Sequence, residues 1–228
     1  MNQTHTPDQC FRPVVLSCRT LELELSEAMR RAECQYPVIW LEAGLHNVPA
    51  RLHAALEQAL AQCACYSHVL VAMGFCGNAL IGLNTRHLQL VVPRVDDCIS
   101  LLLGSMQRRL SLNSEGLYYF TEGWLKGERT LLAEYRHAAE KYGEKRAQRV
   151  LSAMLHNYRK AAAIETGCGA DAWTKQQTKA AACELGLSYC ELHGTLDYLL
   201  DLLTGNWPAE RFLCFPPQTQ ITQLPLGL

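Results

Sequence analysis

Short, continuously apolar runs alternate with longer amphipathic segments through the first half of the chain. Four such runs predict buried strands, at residues 14–17, 38–41, 69–73 and 88–92. The amphipathic segments between and after them predict helices at residues 20–33, 50–62 and 97–109. Apolar strands that alternate with helices are typical of a parallel sheet covered on both faces.

The second half of the chain repeats this alternation less regularly. It predicts strands at residues 117–120, 161–164, 188–192 and 211–215, and helices at residues 126–158 (interrupted near Gly143), 170–185 and 196–203. We therefore expect an α/β fold with a doubly wound, mostly parallel sheet and helices on both faces, arranged as two Rossmann-like halves. The expected division is a short disordered tail at residues 1–12, one half at residues 13–112 and a second half at residues 113–228.

Composition supports a globular protein and excludes two classes of partner. Of the 228 residues, 49% are hydrophobic and 19% are charged, which is ordinary for a chain with a sizeable core. A formal net charge of −1 without a basic run gives no electrostatic support for binding nucleic acid or an anionic membrane. The start of the chain lacks the basic and apolar regions of a signal peptide, so we expect a cytoplasmic protein.

Cysteine is unusually frequent, with eleven residues and no C-x-x-C spacing; the closest pair is Cys63 and Cys65. In a reducing cytosol such residues are core fillers, metal ligands or nucleophiles rather than disulfides. A metal site in this chain would therefore have to be assembled by the fold from distant residues.

Three cysteines follow predicted strands of the first half at the points where those strands end: Cys18, Cys76 and Cys98. Ligands of open parallel sheets bind outside the carboxyl ends of the strands. Three thiolates in one crevice repel each other, and a bound metal offsets that repulsion while leaving one coordination position open. The alternative is that each cysteine is a small apolar core residue. Cys168, which follows a later strand, is the reserve candidate for a fourth ligand.

Cofactor-binding candidates lie in the same turns. Gly74 and Gly77 flank Cys76, and together with Asn78 they form a turn whose backbone amides can approach a ligand closely, although a plain tight turn explains them equally well. His46 follows the strand predicted at residues 38–41, Arg94 follows the strand predicted at residues 88–92, and both are candidate cofactor contacts.

Catalytic candidates come from the strand ends of the second half. Glu122 and Glu165 are candidate general acid–base groups if that half faces the same cleft, and His193 is a candidate proton carrier. For each of them, a solvated loop residue is the competing interpretation.

Several of these residues belong to a pattern that resembles a known family, the bacterial and archaeal proteins grouped as domain of unknown function 1638 (DUF1638). The resemblance covers most of the chain in order and includes G-F-C-G-N at residues 74–78 and a D-C-I-S-L-L-L-G-S segment at residues 97–105. Further matching stretches lie at residues 44–47, 82–83, 93–94, 118–119, 123–124, 210–212 and 216–217.

The resemblance implies that the three cysteines belong to the family signature, and it implies no established reaction. Asp96 stands where the family usually has a histidine, and Glu122 stands where it tends to have a proline. Family members are often encoded beside corrinoid-dependent methyltransferases, which implies an association with such a partner.

Three functions are compatible with these residues. The first is a metal-centre protein with a [4Fe–4S] cluster, or alternatively zinc, acting on a small molecule in one-carbon, methyl or sulfur metabolism. The second is a non-catalytic accessory protein that binds a corrinoid, with His46 as its axial ligand, although the D-x-H-x-x-G corrinoid signature is absent. The third is a metal-free transferase with Cys76 as the nucleophile.

Overall fold

The structure is a computed structural model, and it describes residues 11–127 and 130–224. A disordered tail is predicted at residues 1–12, and residues 1–10 of it lie outside the described part of the chain. No helix in the described part of the chain is long and apolar enough to cross a membrane.

Strands and helices alternate along the described chain. The strands are β1 (Pro13–Cys18), β2 (Val38–Leu41), β3 (His68–Ala72), β4 (Gln89–Pro93), β5 (Leu117–Phe120), β6 (Lys160–Glu165), β7 (Ser188–His193) and β8 (Phe212–Phe215). The α-helices are α1 (Glu22–Arg31), α2 (Pro49–Gln62), α3 (Cys98–Leu103), α4 (Met106–Ser111), α5 (Glu122–Leu125), α6 (Leu131–Tyr142), α7 (Glu144–Leu155), α8 (Asp171–Leu185) and α9 (Asp197–Thr204).

The strands form two sheets. The first has the order β2-β1-β3-β4-β8, with parallel pairing throughout except for the antiparallel edge strand β8, and the second has the order β5-β6-β7 and is wholly parallel. The prediction of an α/β fold with mostly parallel sheets is thereby confirmed. After β7 the chain returns to the first sheet, where β8 pairs with β4. The described part of residues 113–228 therefore forms the second sheet and also adds one strand to the first.

The apolar runs that became β1, β3 and β4 are buried on both faces. All six residues of β1 are buried, and β3 and β4 are buried at every position but the first. One hydrophobic core joins the two sheets, since it includes β1, β3 and β4 together with Leu117 of β5 and Ala162 of β6. The strand ends of both sheets are thus fixed relative to one another.

The prediction of one continuous helix over residues 97–109 is wrong, because two helices, α3 and α4, occupy this segment. Gly104 adopts a left-handed conformation (φ 78°) that ends α3, and the Ser105 side chain accepts a hydrogen bond of 3.2 Å from the backbone N–H of Arg108 to begin α4. Glycine after a helix and serine before one are the residues that favour such a break.

A buried carboxyl group lies in α1. Glu24 is 1% exposed, and its Oε2 has no hydrogen-bond partner among the described residues. Burial, and to a smaller extent the carboxylates of Glu122 and Asp171, raise the pKa of Glu24 to about 7. Burial, and to a smaller extent the charge of Glu24, raises the pKa of the Cys168 thiol. Near neutral pH, Glu24 therefore spends a substantial fraction of its time protonated.

We predict that Glu24→Gln removes a pH dependence of stability. Because the folded-state pKa of Glu24 lies above the unfolded value, the folded protein binds the extra proton, and stability falls as pH rises from about 4.5 to 7. At about 1.4 kcal/mol per pKa unit, the neutral amide should raise the free energy of unfolding above pH 7 by up to about 3 kcal/mol.

Urea unfolding of wild type and Glu24→Gln between pH 4 and 8 measures this difference. Glu57→Gln, at an exposed position of α2, is the control. A difference between wild type and Glu24→Gln that does not grow between pH 4.5 and 7 would contradict the prediction.

Candidate metal centre

Three cysteines from three strand ends line a single cavity of about 420 Å³. Cys18 is the last residue of β1, Cys76 lies in the turn after β3, and Cys98 is the first residue of α3, shortly after β4. These strands are adjacent and parallel in the first sheet, so their carboxyl ends meet at one edge. The remaining wall is largely apolar and includes Leu52, Met73 and Leu102.

The turns after β3 and β4 are held together by their backbones. The Phe75 N–H donates to the carbonyl of Val95 at 3.0 Å, and the Cys76 N–H donates to the carbonyl of Asp96 at 2.8 Å. Gly74 permits this approach, because a Cβ at that position would lie 2.5 Å from the carbonyl carbon of Asp97. The three residues of G-F-C therefore run alongside the segment that leads into Cys98.

The turn that presents Cys76 is strained. Cys76, Gly77 and Asn78 all have positive φ, at 46°, 74° and 63°. Glycine and asparagine tolerate the left-handed region, but for cysteine it costs about 1–2 kcal/mol. Strain of this kind persists where the surrounding structure imposes it, and it concentrates at functional sites.

Cys98 lies in contact with Cys76. A hydrogen bond with the Cys76 thiol, together with burial and the repulsive charge of Cys76, raises the pKa of Cys98 well above its usual value, and a hydrogen bond from the Gly74 backbone partly opposes this. Asp97, which precedes Cys98, caps α3 by accepting a hydrogen bond of 2.7 Å from the Ser100 N–H. Burial raises the pKa of the Asp97 carboxyl.

Cys18 lies on another part of the same wall. Its sulfur is 3.2 Å from the Thr20 hydroxyl and 3.9 Å from the carbonyl oxygen of Glu42. Burial raises the pKa of Cys18, and the charge of Cys98 adds to the effect, so the two thiols interact electrostatically. Without a cation, burial and mutual repulsion favour the neutral thiol form of both.

The side chains are not already arranged as a coordination sphere. Among the described residues, no three His, Cys, Asp or Glu side chains form a group that could hold a metal ion as they stand. Cys76 and Cys98 touch, and Cys18 lines the same cavity. Binding a metal would therefore require rotation of side chains within the cavity.

Residues close to the second sheet cover the cavity. Thr121, Trp124 and Tyr158 complete its lining. Thr121 caps α5 by accepting a hydrogen bond of 3.3 Å from the Trp124 N–H. Gly123 packs so closely against the carbonyl of Thr20 that a Cβ there would collide with it. This contact fixes Trp124 beside the segment that follows Cys18.

A second cavity of about 570 Å³, the outer cavity, adjoins the first. The residues that line both cavities are Thr20, Glu42, His46 and Trp124. Burial lowers the pKa of His46, and the charge of Asp97 partly opposes the effect. A small molecule that reaches the cysteines through the outer cavity would pass these side chains.

Some of the residues singled out in the sequence meet at this site. His46 lines both cavities, Gly77 lines the cysteine cavity, and Glu122 lines the outer cavity, where it pairs with Lys126. Gly74 acts through its close approach to Asp97 rather than as part of the lining.

The others lie elsewhere among the described residues. Asn78 and Arg94 line neither cavity, and Arg94 donates to the carbonyl of Ala209 at 2.8 Å. Glu165 and His193 end adjacent strands of the second sheet, outside both cavities, and Glu165 is paired with Lys175 at 2.9 Å.

Cys168, the reserve ligand, also lies outside both cavities. Its thiol accepts a hydrogen bond of 3.2 Å from the Thr166 hydroxyl. The structure therefore does not bring Cys168 to the other three cysteines.

Sequence reasoning did not single out Thr20, Trp124 and Tyr158, which line the cavity. Trp124 contacts Tyr118 and Phe120 edge-on, at 5.5 and 6.4 Å between ring centroids, and it also lines the cavity. The Gly123-Trp124 dipeptide was the available signal, because glycine before a large aromatic residue permits close packing.

Fold and site together define an α/β protein with a cysteine-lined cavity at the carboxyl edge of a mostly parallel sheet. The chain belongs to the family described as protein of unknown function (DUF1638), whose model matches residues 40–203. No curated protein and no solved structure matches the chain. The match includes Cys76 and Cys98 and ends before β8, and it begins after Cys18.

We predict that Cys76→Gly is more stable than Cys76→Ala. Both substitutions remove the thiol, but only glycine relieves the positive φ at this position, which should be worth about 1 kcal/mol in the free energy of unfolding. Urea denaturation of the two variants at one pH measures the difference.

The same pair of substitutions at Cys65, an exposed cysteine without a positive φ, is the control. There the alanine variant should be at least as stable as the glycine variant, because glycine gives the unfolded chain more conformational entropy. The absence of any difference between the two positions would show that Cys76 is not strained.

Proposed function

We propose that the protein binds a metal centre through Cys18, Cys76 and Cys98, and that this centre acts on a small molecule. The observation that carries the proposal is that the three thiols line one cavity of about 420 Å³. Three protein ligands leave a coordination position open, which is the arrangement of a reactive rather than a purely structural centre.

The electrostatics of the cavity support a cation. Burial and mutual interaction raise the pKa values of Cys18 and Cys98, so each thiolate is costly while no positive charge is present. A metal reverses this balance, because coordination deprotonates thiols and its charge offsets their repulsion.

A [4Fe–4S] cluster is the first choice and zinc is the second. Zinc–sulfur bonds of about 2.3 Å in a tetrahedral site require thiolate sulfurs roughly 4 Å apart. A cluster spreads its cysteine ligands over several iron atoms and accepts wider spacing. Because no three donors among the described residues stand ready around one ion, a cluster would require less rearrangement.

The chain's own residues would bind, orient and shield the small molecule. When bound, the centre would supply an open Lewis-acidic position for a substrate group. Leu52, Met73 and Leu102 would exclude water from that position, and Trp124 would cover it. His46 offers an imidazole to the cavity for proton transfer or for orienting the substrate.

One-carbon, methyl or sulfur metabolism is the proposed setting, with a corrinoid methyltransferase as the proposed partner on the strength of the family resemblance alone. The ten cysteines in the described part of the chain are free thiols, which is compatible with the reducing cytoplasm that we propose as its location. The alternative function is that of a non-catalytic accessory protein that binds a corrinoid through His46. A shift in the absorption spectrum of cobalamin on mixing with the protein would support it.

We predict that Cys18→Ser, Cys76→Ser and Cys98→Ser each lose the metal. Protein prepared without oxygen should contain iron with broad visible absorption, or else zinc without it, and each single substitution should remove most of that content. Elemental analysis and visible spectra measure the outcome.

Cys65→Ser and Cys183→Ser, at exposed cysteines that do not line the cavity, are the matched controls and should retain the metal. A metal-free wild type in which all three cavity thiols are readily alkylated would rule the proposal out. Loss of function in Cys76→Ser alone would favour the nucleophile instead.

A further inference from the structure

The outer cavity is charged, whereas the cysteine cavity behind it is largely apolar. Three carboxylates and two cations line the outer cavity: Glu22, Glu42, Glu122, Arg19 and Lys126. With His46 neutral, the lining carries one more negative charge than positive. Small molecules that approach the cysteines by this route therefore meet a field that favours cations.

Both cations are already paired with carboxylates. Arg19 lies 3.3 Å from Glu22 and also stacks on Trp40, and Lys126 is paired with Glu122. These groups consequently have little free positive charge to offer an incoming anion.

Glu42 is the carboxylate with the weakest partner. Its nearest cation is Arg19, at 4.0 Å, and its side chain is 81% exposed. It lines both cavities, as Trp124 does. A carboxylate and an indole ring in one lining favour an organic cation, through charge attraction and through the cation–π interaction.

We propose that the outer cavity is an entrance that selects small molecules carrying a positive charge, with Glu42 and Trp124 as the selecting residues on the path to the cysteines. This inference rests on the proposed function for what happens at the cysteines. The selection itself is a property of the entrance and can be measured without a metal.

The test uses methanethiosulfonate reagents of similar size that carry a positive charge, a negative charge or no charge. Metal-free protein is reacted at low ionic strength, and peptide mass spectrometry follows modification of Cys18, Cys76 and Cys98. Exposed Cys65, outside both cavities, is the internal reference. Relative to Cys65, the cationic reagent should modify the cavity cysteines at least about fivefold faster than the anionic one, since one charge about 4 Å away contributes about 1 kcal/mol even in water.

Two substitutions, with a control, assign the selection to Glu42 and Trp124. Glu42→Gln should reduce the ratio of cationic to anionic rates severalfold, and Glu57→Gln, an exposed residue that lines neither cavity, should leave it unchanged. Trp124→Ala should accelerate all three reagents but the cationic one least, because the cation–π attraction is lost. Added salt should weaken the charge preference in the wild type.

Equal rates for the three reagents, or faster reaction with the anionic one, would overturn the inference. A charge preference in a protein that never binds metal would support the entrance while removing the metal proposal. Metal binding without a charge preference would support the metal proposal and overturn the proposed entrance.

Discussion

The contact between two backbone turns organises the candidate site. The turn after β3 lies against the turn after β4, with hydrogen bonds from Phe75 and Cys76 to the carbonyls of Val95 and Asp96. Gly74 makes the approach possible because it has no side chain to separate them. The contact places the Cys76 and Cys98 thiols together and imposes the left-handed conformation on Cys76, so geometry and strain have one origin.

A second close contact closes the cavity from the other sheet. Gly123 packs on the Thr20 carbonyl, which fixes Trp124 over the segment that follows Cys18. The shared hydrophobic core and the return of β8 to the edge of the first sheet make this closure rigid. The thiols are thereby confined in a largely apolar space, where burial raises the pKa values of Cys18 and Cys98, and the proposed route to them passes a negatively charged entrance. Burial in this cavity therefore favours the neutral thiol form of Cys18 and Cys98.

Continuous apolar runs encoded most of the fold. The strands at residues 38–41 and 117–120 begin and end where the pattern predicts them, because each is a short run of apolar and aromatic residues. The pattern failed where a local signal outweighed it. Gly104 and Ser105 divide the helix predicted over residues 97–109, and the antiparallel direction of β8 depends on a long return that periodicity does not record.

The sequence by itself determined which cysteines end strands, because strand ends are visible in the apolar pattern and ligands gather at the carboxyl edge of a parallel sheet. Only the tertiary structure decided which of those ends share a cavity. Strand order puts β1, β3 and β4 side by side, so Cys18, Cys76 and Cys98 line one cavity, while Glu165 and His193 end strands of the other sheet and lie outside it. Proximity between residues far apart in the chain depends on crossovers and close backbone approaches, and a one-dimensional pattern contains neither.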